Sequence, residues 1–155
     1  MANPLKELPL KAYGIQLIQE LPVGAPPKKV WDSLKNPSGW FVMDPDPARQ
    51  PRHTLELWPG GRWFAEFKDG TSMLFGHVVY MEPEKLIRIS GHGGLTHLPV
   101  TMVFIFELQP KDDGKTTLLR VGHRVHGMMD ADVETRMTGA WKKLLGQLKE
   151  MAERA

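Results

Sequence analysis

The last stretch of the chain, from about Asp130 to Ala155, leaves few ways to fold. At about 3.6 residues per turn, Val133, Met137, Ala140, Trp141, Leu144, Leu145, Leu148, Met151 and Ala152 share one face. Thr135, Arg136, Lys142, Lys143, Lys149, Glu150, Glu153 and Arg154 occupy the other. Asp130 or Asp132 is placed to cap the start, and basic residues gather toward the end, where the helix dipole favours them. Such a helix of about 24 residues is roughly 36 Å long. One side is too apolar to stand in water, so a broad apolar surface must face it.

Strands elsewhere supply that surface. Residues 1–12 carry two prolines and no sustained period, and read as a tail before a single domain over 13–155. Tyr13 to Leu21 reads as a strand stopped by Pro22. A short helix follows through Val30, Trp31 and Leu34, opened by Pro26-Pro27 and closed at Asn36-Pro37. Residues 38–52 are proline-rich and form a loop around Trp40 and Phe41, which either cover a pocket mouth or tuck beneath the loop as a satellite cluster.

A meander comes next: His53–Trp58, Arg62–Lys68, Thr71–Met81, Lys85–Gly91, Val100–Leu108 and Lys115–Val125. Pro59-Gly60-Gly61, Asp69-Gly70, Pro83-Glu84 and 110–114 make the turns. Alternation puts Val100, Met102, Phe104, Phe106 and Leu108 on one face of the sixth strand. It likewise groups Leu119, Val121, His123 and Val125 in the seventh. The fourth strand is apolar on both faces and its facing cannot be read. The class is α+β, with a curved antiparallel sheet of six to seven strands wrapped around the long C-terminal helix.

Composition removes several functions. With no cysteine there is no disulfide, thiol catalysis or thiolate metal site. A net charge of +2 with scattered Lys and Arg does not suggest nucleic acid. No segment approaches the length of an apolar membrane span and no signal peptide opens the chain, so the expectation is a cytoplasmic protein without membrane insertion. There is no phosphate loop, no nucleophile elbow and no His-Glu-x-x-His helix. His123 and His126 lie three apart on a strand and point to opposite faces, and His92 and His97 have no evident third ligand. Neither a metal nor a cofactor is expected.

The ordered landmarks are Ala25-Pro26 with Val30-Trp31, Gly60-Gly61 with Trp63, Asp69-Gly70 with Gly76, and Pro83 with Leu86. They continue with Thr117 before Leu119-Val121-His123, and Gly139-Ala140-Trp141 before Leu144 and Leu148. Together they resemble the START-like helix-grip superfamily, whose fold is that of birch-pollen allergen. Within it the chain is most similar to small proteins related to the C-terminal domain of the activator of heat-shock protein 90 ATPase. The resemblance implies the helix-grip fold and a cavity between sheet and helix; function is left open, because one fold carries many activities.

The leading expectation is a non-enzymatic domain holding a small apolar or amphipathic ligand, lined by Trp63, Phe67, Met102, Phe104, Phe106, Val121, His123, Met137 and Trp141. His123 or Glu134 would orient a polar end. Those two facing one cavity could instead act as acid and base, giving a cyclase- or hydrolase-like enzyme; equally, His123 is a buried wall and Glu134 reaches solvent. A chaperone-interaction module with a stress-response role is implied by the resemblance alone. Met73, Met102, Met128, Met129 and Met137 suit either an adaptable wall or plain core. Gly139 and Gly146 on the polar helix face would be explained by a close neighbour such as a second subunit, so monomer and homodimer both stay open.

Overall fold

The structure, a computed structural model, describes residues 5–155. Seven strands form one antiparallel sheet: β1 Lys11–Val23, β2 Arg52–Leu55, β3 Arg62–Glu66, β4 Ser72–Glu82, β5 Leu86–Gly91, β6 Val100–Lys111 and β7 Thr116–Met129. Their order is β1-β7-β6-β5-β4-β3-β2, so the first strand closes one edge and the meander runs to the other. Helix α1, Pro27–Leu34, crosses between β1 and β2, and α2, Val133–Arg154, lies across the concave face. This is the α+β arrangement that alternation and helix length foretell, and the helix-grip fold that the resemblance implies.

The face assignments of β6 and β7 hold. Val100, Met102, Phe104, Phe106 and Leu108 are buried, as are Leu119, Val121, His123 and Val125. Along α2, Val133, Met137, Leu144, Leu145, Leu148 and Ala152 are buried, with Trp141 and Met151 partly so. In α1, Val30, Trp31 and Leu34 face the core, and Pro27 opens the helix where a missing N–H costs nothing.

Some boundaries move. β1 starts at Lys11, inside the expected tail, and runs through Pro22 to Val23; Met1–Pro4 of that tail lie outside the described residues. Proline is tolerated there because β1 is an edge strand, paired only with β7. Neither expected cap of α2 forms. Asp132 makes no side-chain cap bond, and Asp130 instead receives Arg136 at 3.2 Å.

The unreadable strand has a physical reason. Trp63 pairs with Gly76 and Phe64 with Leu74, leaving Phe75 without a β3 partner. Val78 pairs with Ile89 and Tyr80 with Arg88, leaving Val79 without a β5 partner. Each extra residue reverses the parity of the strand beyond it, so Phe75 and Val78 are both buried while Val79 points out. Between the bulges the strands close tightly. A Cβ on Gly91 would lie 2.4 Å from the Phe75 carbonyl oxygen and 2.5 Å from the Gly76 Cα. Only glycine fits there.

The C-terminal half of the helix is tied to its surroundings. The Gly24 N–H donates to Glu153 Oε1 at 2.7 Å, and Lys149 Nζ donates to the Pro22 carbonyl at 2.9 Å. Val42 N–H donates to Gln147 Oε1 at 3.2 Å, which pins the 38–52 loop to the middle of α2. Among the described residues nothing lies within 4 Å of a Cβ built at Gly139 or Gly146, so no contact there accounts for them.

Candidate functional site

The 38–52 loop decides what space remains between sheet and helix. A single-turn 3₁₀ helix, Pro37–Gly39, opens it and a second, Pro47–Arg49, lies within it, and Trp40 is driven inward until it is fully buried. The indole packs against Trp63, Phe106 and Trp141 with ring centroids 6.1, 6.2 and 6.3 Å away. Trp40 therefore belongs to the central core, and the satellite-cluster alternative does not describe it. Trp40 thus fills the space beside Phe106.

A cavity of about 260 Å³ survives toward the start of α2. Trp63, Met102 and Phe104 form its sheet wall, Met137 and Trp141 its helix wall, and Phe41 and Met43 close it from the loop. Five of the residues expected from the sequence therefore meet here. Phe67 is elsewhere, beyond the end of β3, lining a second cavity of about 560 Å³. Phe106 and Val121 are cross-strand partners packed within the core.

The structure separates His123 from Glu134. The imidazole is completely buried, stacked on Phe104 at 6.1 Å and set 4.5 Å from the Trp141 ring. Neither ring nitrogen has a hydrogen-bond partner. Burial lowers its pKa to about 4, so the ring is neutral at pH 7. Glu134 is exposed on the first turn of α2. An enclosed neutral imidazole and a solvated carboxylate share no cavity, so they cannot pass a proton to one bound molecule.

Two polar groups near the cavities escape a reading of the sequence. Arg136 lies on the rim of the smaller cavity, its guanidinium held by two 3.2 Å contacts to the Asp130 carboxylate. Its position, one residue before Met137 at the edge of the apolar stripe, is the signal that could have found it. His53 lines the larger cavity and accepts the Trp63 indole N–H on Nδ1 at 3.1 Å. That pair is diagonal across β2 and β3, since His53 faces Ala65 and Trp63 faces Leu55. It becomes visible only once the hairpin register is known. Among the described residues no three His, Cys, Asp or Glu side chains converge as metal ligands.

With the geometry in view, comparison with known proteins places the fold among its relatives. A family profile described as "Activator of Hsp90 ATPase homolog 1-like protein" matches residues 24–153. The chain belongs to that family. No curated protein matches the sequence significantly.

Among solved structures, a Rhizobium leguminosarum protein aligns with a TM-score of 0.71 at 20% identity, covering 94% of this chain and 99% of its own. Protein CV1439 of Chromobacterium violaceum aligns at 0.66 and 20% identity, over 89% of this chain and 96% of its own. CalU16 of Micromonospora echinospora aligns at 0.60 and 19% identity, over 94% and 87%. At these identities the likeness carries the fold. Among the described residues no helix is long and apolar enough to cross a membrane.

Proposed function

We propose that this START-like domain binds a small apolar or amphipathic molecule between sheet and α2, without catalysing a reaction on it. The observation that carries the reading is the cavity of about 260 Å³, apolar along Met102, Phe104, Met137 and Trp141 and charged only at Arg136 on its rim. Its volume is near the lower end of ligand pockets, about 300–1,000 Å³, which favours a compact ring system over a long acyl chain. Apolar burial at about 25 cal/mol per Å² drives entry. Arg136, not His123 or Glu134, is the charged group on the cavity wall, and a polar end would share its guanidinium with Asp130; the enclosure of His123 supports a binding role over acid–base chemistry. A chaperone contact rests on the family likeness alone.

The test uses 1-anilinonaphthalene-8-sulfonate, whose aromatic body suits the walls and whose sulfonate suits Arg136. The native protein should bind it near one-to-one with enhanced fluorescence. Met137→Trp, which fills the space, should abolish the signal while circular dichroism stays native. Arg136→Gln should weaken binding several-fold through loss of one charge-assisted contact. Undiminished dye binding in Met137→Trp would remove this cavity as the site.

A further inference from the structure

The larger cavity, about 560 Å³, lies outside that site, between the 38–52 loop and the ends of β2 and β3. Phe41, Met43, Met73 and Phe75 belong to the walls of both cavities, so only a layer of side chains divides them. His53 is part of the larger cavity's wall alone.

Everything around His53 fixes its orientation. Its backbone N–H donates to Ser38 Oγ at 2.8 Å, and the Ser38 hydroxyl returns a bond to the His53 carbonyl at 3.3 Å. On the ring, Nδ1 accepts the Trp63 indole N–H. An accepting Nδ1 carries no proton, so in the neutral imidazole the hydrogen is on Nε2. That Nε2 has no partner and is shut away from solvent. The residue is 8% exposed, and burial lowers its pKa to about 4. At pH 7 the ring is therefore a neutral, oriented donor with nothing to donate to. Buried donors are nearly always satisfied, so an orphan beside a cavity calls for an acceptor.

The Phe41 ring lies against it. Its ring centroid is 5.0 Å from that of His53, tilted by 53°. The backbone beneath is held, since Phe41 N–H donates to the Pro37 carbonyl at 2.7 Å and Val42 to Gln147. The side chain is partly buried and borders both cavities, and its ring also packs against Phe75, Trp63, Trp40 and Trp141 at 5.3, 5.4, 5.7 and 5.8 Å, contacts that an entering molecule must replace. The lining carries two cations, Arg49 and Lys68, and two carboxylates, Asp44 and Asp69, and Arg49 lies 3.7 Å from Asp44 and 3.6 Å from Asp46. No net charge awaits an ion.

We propose that this cavity is a second binding site, for a flat apolar molecule bearing one neutral hydrogen-bond acceptor such as a ketone, ester or quinone oxygen. Phe41 swings aside to admit it, and the acceptor meets His53 Nε2–H. The site shares Phe41, Met43, Met73 and Phe75 with the cavity under α2 and differs from it in offering His53.

The experiment uses two probes of nearly equal shape, 2-acetylnaphthalene and 2-isopropenylnaphthalene, in which a carbonyl oxygen is exchanged for a methylene group. Calorimetry should show the ketone binding about tenfold tighter, the worth of one satisfied buried donor. Long-range nitrogen–proton NMR should find His53 protonated on Nε2, with that signal shifting on addition of the ketone alone. His53→Phe should erase the preference. Ala48→Trp, on the wall of this cavity only, should weaken both probes at least tenfold, whereas Met137→Trp, on the other cavity, should change neither.

Equal affinities for the two probes in the wild type would overturn the proposal with no variant needed, so a misfolded His53→Phe cannot obscure the answer. Absence of binding by either probe would overturn it too. Binding lost in Met137→Trp but kept in Ala48→Trp would assign the probes to the cavity under α2. That result would sink this second site and leave the first reading intact.

Discussion

Single residues carry this protein's response to acid. His53 and His123 both have pKa values lowered to about 4 by burial, against about 6.5 in an unfolded chain. The folded state keeps both rings neutral while the unfolded state binds protons below pH 6.5. Stability is therefore flat above that value and falls as pH drops toward 4. By pH 5 the loss should be roughly 2 kcal/mol for each ring. Urea melts at pH 7 and pH 5 measure it directly. His123→Leu should remove about half of the loss. It should also leave the protein at least as stable at pH 7, because two unpartnered nitrogens disappear and leucine needs no partner. A variant whose melts keep the full wild-type difference would mean that His123 is not titrating from a sealed site. The burial of His123 was legible from strand parity with Val121. Its lack of any partner was not, because that depends on the rings of Phe104 and Trp141 closing over it from two other elements.

At the scale of elements, periodicity told most where the backbone is regular. The apolar stripe of α2 and the inward rows of β6 and β7 follow directly from spacings of 3.6 and 2. In β4 the same logic breaks at Phe75 and Val79, where an unpaired residue flips the faces, and no composition signal marks those positions. Helix orientation gives a sharp prediction. Leu148→Ala, at a fully buried position, should cost about 2–5 kcal/mol. Lys143→Ala, exposed on the opposite side, should stay within about 0.5 kcal/mol. Equal denaturation midpoints for the two would contradict the way α2 lies on the sheet.

For the whole molecule, the question is why a fold suited to a wide cavity retains a small one. The answer lies with Trp40, which arrives from an irregular loop and joins loop, sheet and α2 through Trp63, Phe106 and Trp141. Loops have no period, so nothing in 38–52 announces that its first aromatic plugs the interior while its second covers two cavities. If Trp40 is the plug, Trp40→Ala should cost about 3–5 kcal/mol and open a dry space lined by aromatic rings. Indole, the side chain that was deleted, should then bind there and restore stability with its concentration. At a hundred times its dissociation constant the gain is about 2.7 kcal/mol. Thermal melts with increasing indole should rise more steeply for Trp40→Ala than for the wild type, which has only its existing cavities to offer. Equal slopes would show that the loop had collapsed into the gap. The cavity size would then be set by the backbone of 38–52 and not by the single side chain it delivers.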